Sequence, residues 1–175
     1  MLTLNTQQKF IYQEVNILAW GASVQRAHLY ASDIQRDIFR KKILTYIEND
    51  ILSQYSTKCE DDVHVENIES IVEYGTTTGG SLLGPNGYKF GVAQKFLNLL
   101  LKYLWCLGHV VEPPHCPVDR IVLTETTLRD KLNWTEITTA DKYMQAITAL
   151  RDVAQAAGFS SLAQWELQFY SRRRA

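Results

Sequence analysis

Cysteine, proline and glycine are scarce in this chain of 175 residues, with 3, 4 and 9 copies respectively. Cys59, Cys106 and Cys116 are odd in number and irregularly spaced, which excludes a disulfide framework and predicts reduced thiols in a cytoplasmic protein. So little glycine and proline excludes fibrous and disordered classes. A general positive charge is also absent, because 18 Lys and Arg residues are balanced by 19 Asp and Glu residues. Any contact with nucleic acid must therefore depend on a local patch.

The chain also lacks a long uninterrupted apolar segment. Its most apolar stretch, residues 96–111, contains Lys102 and His109, and its first ten residues lack the pattern of a secretory leader. We therefore predict no contact with a membrane. Apolar side chains are nevertheless abundant, at 46% of residues. Because a domain of this size buries roughly 70% of its unfolded surface, we expect one domain, residues 1–175, with one sizeable core.

Apolar residues recur at helical spacing through most of the chain. Ser32, Thr139 and Ser161 are suited to cap helix N-termini, and Gly158 is suited to follow a helix C-terminus. The pattern predicts a mainly α fold, arranged as a compact orthogonal helical domain. The predicted helices cover residues 7–20, 33–51, 64–74, 91–107, 140–157 and 162–170.

Residues 81–90 carry the one strand signal. The turn sequence Gly-Pro-Asn-Gly at 84–87 separates two short stretches that favour extended backbone. The pattern predicts a small β-hairpin, with a flexible loop as the alternative.

The predicted helix 91–107 is the most apolar of the set and is expected at the centre of the core. Lys95, Asn98 and Lys102 form its narrow polar stripe. Three prolines between positions 113 and 117 exclude helix directly after it, and Asp119 is placed to start the next element.

Two short motifs, GVAQK at 91–95 and Pro-Val-Asp at 117–119, resemble those of the helix-hairpin-helix DNA glycosylases. The similarity covers residues 87–123 and is greatest to the 8-oxoguanine branches of that family. It implies that Lys95 is a nucleophilic amine and Asp119 a catalytic carboxylate. The implied activity is base excision from DNA by a hydrolase of DNA repair, with or without Schiff-base lyase activity.

The chemistry of base excision explains why these two residue types are needed. Breaking an N-glycosidic bond develops positive charge on the sugar, which a carboxylate stabilises, and a neutral amine attacks the anomeric carbon. A sugar between Lys95 and Asp119 requires a separation of roughly 4 to 8 Å, whereas a tight ion pair would favour a structural role. Aromatic candidates for the pocket of the flipped base are Tyr88, Phe96, Tyr103 and Trp105, with Trp20 also available. Candidates for contacts to the DNA backbone are Lys89, Lys102 and Arg120.

Other interpretations of the same residues stay open. Lys95 and Lys102 are ordinary solvated residues if their stripe faces water, and Asp119 is then only a helix cap. A non-enzymatic helical module could also use basic and aromatic residues to hold a protein or nucleic-acid partner. His28 and His64 are interpreted as surface or capping residues.

A metal site is the remaining alternative. Cys106, His109, His115 and Cys116 are close in sequence and of metal-ligand types, but their spacing is irregular. We therefore predict neither a metal nor another cofactor.

Overall fold

The computed structural model describes residues 4–31 and 35–169, most of which lie in seven α-helices. The helices are α1 (Thr6–Val24), α2 (Arg36–Tyr46), α3 (Asp61–Gly79), α4 (Phe90–Cys106), α5 (Arg120–Leu123), α6 (Ala140–Ala156) and α7 (Leu162–Phe169). The predicted mainly α fold is confirmed. The predicted N-cap Ser32 and the last residue of the predicted final helix, Tyr170, lie outside the described residues. Among the helices of the described ranges, none is long and apolar enough to cross a bilayer.

Shorter helical turns connect these elements. A π-helical turn, Ile47–Ile51, and a 3-10 segment, Leu52–Tyr55, continue α2. Two further 3-10 turns are Gly80–Leu82, after α3, and Trp134–Glu136, before α6.

Helix α4 is at the centre of the fold. Fourteen of its seventeen residues are buried, and α1 and α3 pack against it. Buried apolar residues from all seven helices join the same core. The polar stripe Lys95, Asn98 and Lys102 is buried as well, so the alternative in which these residues face water is wrong. Each of these side chains therefore needs a partner inside the protein.

The predicted helix ends are partly correct. Helix α1 continues through Gly21 to Val24, beyond the predicted end at residue 20, and Asn5 and Gln8 form a capping box at its start. The cap of α6 forms as predicted, because the Thr139 hydroxyl accepts the Lys142 N–H. Gly158 follows α6 with a φ of 84°, a left-handed conformation that favours glycine.

The β-hairpin predicted over residues 81–90 does not form. Its turn is present, closed by a 3.1 Å hydrogen bond from the Gly87 N–H to the Gly84 carbonyl. The flanking residues do not pair with each other, and Leu83 instead forms an isolated antiparallel bridge with Tyr30. The turn at residues 84–87 was predicted correctly, but Leu83 pairs with Tyr30, which is distant in sequence, and not with the residues that follow the turn.

Leu100→Ala tests the central position of α4. Leu100 is fully buried, so its truncation should lower the free energy of unfolding by about 2 to 5 kcal/mol. Leu107, directly after the same helix, is 41% exposed and provides the control, since Leu107→Ala should change stability by no more than about 0.5 kcal/mol. Urea denaturation followed by circular dichroism measures both. Equal midpoints for the two variants would remove α4 from the centre of the core.

Candidate functional site

Lys95 and Asp119 lie together on the wall of a cavity of about 220 Å³, here called the central cavity. The Lys95 Nζ is 3.4 Å from the Asp119 Oδ2, and the side chains are 11% and 18% exposed. The separation is shorter than the 4 to 8 Å required for an intervening sugar. In this structure the two groups form an ion pair at the edge of the cavity.

Asp119 is held by its helix. Its Oδ1 accepts hydrogen bonds from the backbone N–H groups of Ile121 and Val122, which makes it the N-cap of α5. The capping interaction uses one carboxylate oxygen and directs the other toward Lys95. Asp119 therefore starts a new element, as the sequence predicted.

Gln94 fixes the segment before Asp119 against α4. Its Nε2 donates to the Val118 carbonyl at 2.8 Å, and its Oε1 accepts the Val118 N–H at 3.1 Å. Gln94 is fully buried and immediately precedes Lys95, just as Val118 immediately precedes Asp119. The paired hydrogen bonds thus set the distance between the lysine and the aspartate. Sequence reasoning missed Gln94, and its only signal was an amide in an apolar helix.

Trp134 forms the aromatic wall of the central cavity. Its ring centroid is 4.4 Å from the Lys95 Nζ, within the range of a cation–π interaction. Gly91 permits this arrangement, because a Cβ at Gly91 would overlap the Trp134 carbonyl oxygen. The Gly91 N–H donates to the Ile137 carbonyl at 2.9 Å. The Gly91 N–H is therefore already hydrogen-bonded. It is not available to bind a phosphate group, as the backbone of a DNA-binding hairpin does.

The surroundings of Lys95 lower the pKa of its ammonium group. Burial has the largest effect, and the charge of Arg26 acts in the same direction, while Asp119 opposes both. The pKa stays below its ordinary value despite the ion pair. A larger share of neutral amine than an exposed lysine offers is therefore present near neutral pH.

The four aromatic residues proposed for a base pocket do not line the central cavity. Tyr88 and Phe96 are buried in the core, where both rings pack against Trp20. Tyr103 and Trp105 lie two or more turns beyond Lys95 on α4. Their assignment is corrected, because helical rotation and rise direct them away from the lysine. Trp134 was missed because it is distant in sequence.

The three residues proposed to contact a DNA backbone differ in their surroundings. Lys102 is buried, and its Nζ donates to both Glu166 carboxylate oxygens at 2.9 Å. This placement does not suit a phosphate contact at the surface, and we correct that assignment. The Lys89 Nζ donates to the Ala27 carbonyl at 2.6 Å, and Arg120 is exposed at the central cavity.

The suggested metal ligands do not form a cluster. Cys106, the last residue of α4, is exposed, whereas His115 and Cys116 are buried. In the part of the chain that the structure describes, no group of three or more His, Cys, Asp or Glu side chains is placed to hold a metal.

Two histidines instead belong to a buried network. The rings of His64 and His115 meet edge to face at 4.7 Å, so the interpretation of His64 as a surface residue is wrong. The His64 Nδ1 is 2.6 Å from the Tyr55 hydroxyl. His115 contacts the Tyr143 hydroxyl through Nδ1 and Asp61 through Nε2.

Comparisons of this chain with protein families, with curated proteins and with solved structures found no match.

Gly91→Ala tests the close approach of the Trp134 segment to α4. The added methyl group would collide with a backbone carbonyl, so we expect a loss of about 1 to 3 kcal/mol in the free energy of unfolding. Gly21→Ala is the matched control, because its Cβ would meet open space within α1 and alanine favours helix by about 0.5 to 1 kcal/mol. Urea denaturation compares the two. Equal stabilities would show that the contact at Gly91 is unimportant.

The buried histidines predict a pH dependence of stability. Burial lowers the pKa of His64 and of His115, while the unfolded chain takes up protons near pH 6.5. Below that pH the unfolded state binds more protons than the folded state, so stability is lost as the pH falls. Asp61 adds a further loss of stability below about pH 4, because Arg151 and His115 hold the pKa of its carboxyl below the ordinary value.

Urea denaturation at pH 7.5 and pH 5.0 measures this dependence. His64→Asn keeps a polar partner for Tyr55 and should reduce the pH slope. The exposed His28 gives the control His28→Gln, which should retain the full slope. Equal slopes in the two variants would contradict the assignment to His64.

Proposed function

We propose that this chain is a DNA-directed base-excision protein in which Lys95 and Asp119 act on an N-glycosidic bond. The observation that supports it most is the pairing of a largely buried lysine of lowered pKa with a helix-capping aspartate on one cavity wall. A carboxylate and an amine are the two groups that glycosidic cleavage with Schiff-base formation requires.

The proposed reaction divides the work between the two residues. The neutral Lys95 amine attacks the anomeric carbon, the glycosidic bond breaks, and the base leaves with the bonding electron pair. Asp119 stabilises the positive charge that develops on the sugar. The attacking nitrogen then loses a proton, which the departing base takes up. The sugar ring opens as its oxygen leaves the anomeric carbon and takes a proton from water, which gives the protonated Schiff base that water then hydrolyses.

The ion pair must open before a sugar can enter. Asp119 is held through its other carboxylate oxygen by α5, so it keeps its position when the pair separates. Lys95 has a flexible side chain that reaches the cavity from α4. We therefore assign the movement to the lysine, with Trp134 holding its ammonium group in the resting state.

A second candidate function is a non-enzymatic helical module that binds a protein partner. The 3.4 Å ion pair suits a purely structural role for Lys95 and Asp119. Four apolar residues are also exposed on one side of α1. They are Phe10, Ile11, Ile17 and Leu18.

Borohydride trapping decides between the two functions. The protein is incubated with oligonucleotides that carry 8-oxoguanine, other modified bases or abasic sites, and a reducible Schiff base becomes a stable covalent adduct. Lys95→Gln should abolish the adduct, and Asp119→Asn should slow base release by about 100-fold or more.

Lys58→Gln is the matched control, because Lys58 is exposed and does not line the central cavity. Its adduct yield should equal that of the unchanged chain. Absence of any adduct from a folded protein on all these substrates would reject the glycosylase proposal in favour of the binding module.

A further inference from the structure

Two larger cavities adjoin the central cavity. The first flanking cavity, about 480 Å³, shares Arg26 with the central cavity and is also lined by Lys89 and Lys142. The second flanking cavity, about 430 Å³, shares Arg120 and is also lined by Arg129 and Lys131. The Lys95 site therefore lies between two recesses that carry cations.

The three cavities concentrate positive charge on a chain whose formal net charge is −1. Four acidic residues also line them, but Asp119 and Glu166 are each engaged by a lysine, Lys95 and Lys102 respectively. The seven lining cations are Arg26, Lys89, Lys95, Arg120, Arg129, Lys131 and Lys142. The other two acids are Asp130, whose Oδ2 is 3.9 Å from the Arg129 Nε, and Glu136, which lines both flanking cavities. The excess forms the local patch that an overall neutral composition requires for binding a polyanion.

The backbone beside the first flanking cavity is strained in a way that fixes Arg26. Arg26 and His28 have φ values of 65° and 46°, left-handed conformations that cost a non-glycine residue about 1 kcal/mol or more. Burial of Ala27 and the hydrogen bond that its carbonyl accepts from Lys89 hold this conformation. The segment thus presents Arg26 where the first flanking cavity meets the central cavity.

Neutral polar groups line both flanking cavities, beside apolar residues such as Val72 and Phe90 in the first and Leu123 and Leu132 in the second. Hydroxyl and amide side chains are those that contact phosphate and sugar oxygens. An acidic protein partner would instead be expected to use exposed aromatic anchors, but Tyr88 and Phe90, which line the first flanking cavity, are almost fully buried. The neutral polar residues are Thr76, Asn86, Thr135 and Thr138 in the first flanking cavity and Thr124 and Asn133 in the second.

We infer that the phosphodiester backbone of a DNA strand crosses the two flanking cavities and places the nucleotide between them in the central cavity. This inference rests on the proposed function for the chemistry at Lys95. The energy of DNA binding, however, comes from residues other than Lys95. Lys142 on one side and Arg129 and Lys131 on the other are the new phosphate contacts that it names.

Fluorescence anisotropy with a labelled DNA duplex that carries a tetrahydrofuran abasic-site analogue tests the inference. The flank variant, Lys142→Gln with Arg129→Gln and Lys131→Gln, removes three exposed cations. Its Kd at moderate salt should rise about tenfold or more, and the slope of log Kd against log salt should shrink by about 0.9 for each phosphate that the variant no longer neutralises.

The control variant, Lys41→Gln with Lys42→Gln and Lys58→Gln, removes the same charge from exposed lysines outside the three cavities. Its Kd should change by less than about twofold if the phosphate-binding residues are those of the flanking cavities. Circular dichroism confirms that both variants are folded.

Three results would overturn the inference: no binding of the duplex by the unchanged chain, equal affinity of the flank and control variants for the duplex, or displacement of DNA by polyglutamate as readily as by unlabelled duplex. The last result would assign the face to an acidic protein partner. Weakened binding by the flank variant, without borohydride trapping by the unchanged chain, supports the DNA path and rejects the lysine chemistry. Borohydride trapping of the unchanged chain, together with unaffected DNA binding by the flank variant, supports the lysine chemistry and rejects the DNA path.

Discussion

Burial of a polar stripe along α4 is the constraint on which the rest of this structure depends. An unsatisfied polar group in a core costs about 1 to 3 kcal/mol, and more if it is charged. Within the stripe, Asn98 donates a hydrogen bond to Tyr143 and Lys102 pairs with Glu166, while the adjacent Gln94 donates a hydrogen bond to Val118. These partners lie in the segment between α4 and α5, in α6 and in α7. Each hydrogen bond therefore also docks a part of the C-terminal half against the central helix.

The same constraint places the candidate site. Lys95 lies in the stripe but at the edge of the core, where its ammonium reaches Asp119 and Trp134 without complete enclosure. The neighbouring Gln94 supplies a neutral clamp, so the position of Asp119 does not depend on its charge interaction with Lys95 alone. A lysine held in this way can leave its partner without loss of the surrounding fold.

The sequence predicted local features well and distant ones poorly. Periodicity and capping residues identified six of the helices, and Asp119 was correctly expected to begin the seventh, because these signals lie within a few residues of one another. The hairpin failed since Leu83 pairs with Tyr30, far away in the chain. Trp134 and Gln94 were missed for the same reason, as their roles exist only once the segments after α4 have docked.

In the proposed reaction, the Lys95 pair would combine a stable resting state with reactivity. Asp119 is the group that raises the pKa of Lys95, whereas burial and Arg26 lower it. If the pair opens to admit a sugar, the effect of Asp119 on the pKa of Lys95 weakens. The effects of burial and of Arg26 persist as long as the amine stays in the cavity. The separation that makes room for the substrate would then also favour the neutral amine that attacks it. Binding of the substrate and activation of the nucleophile would thus be one physical event.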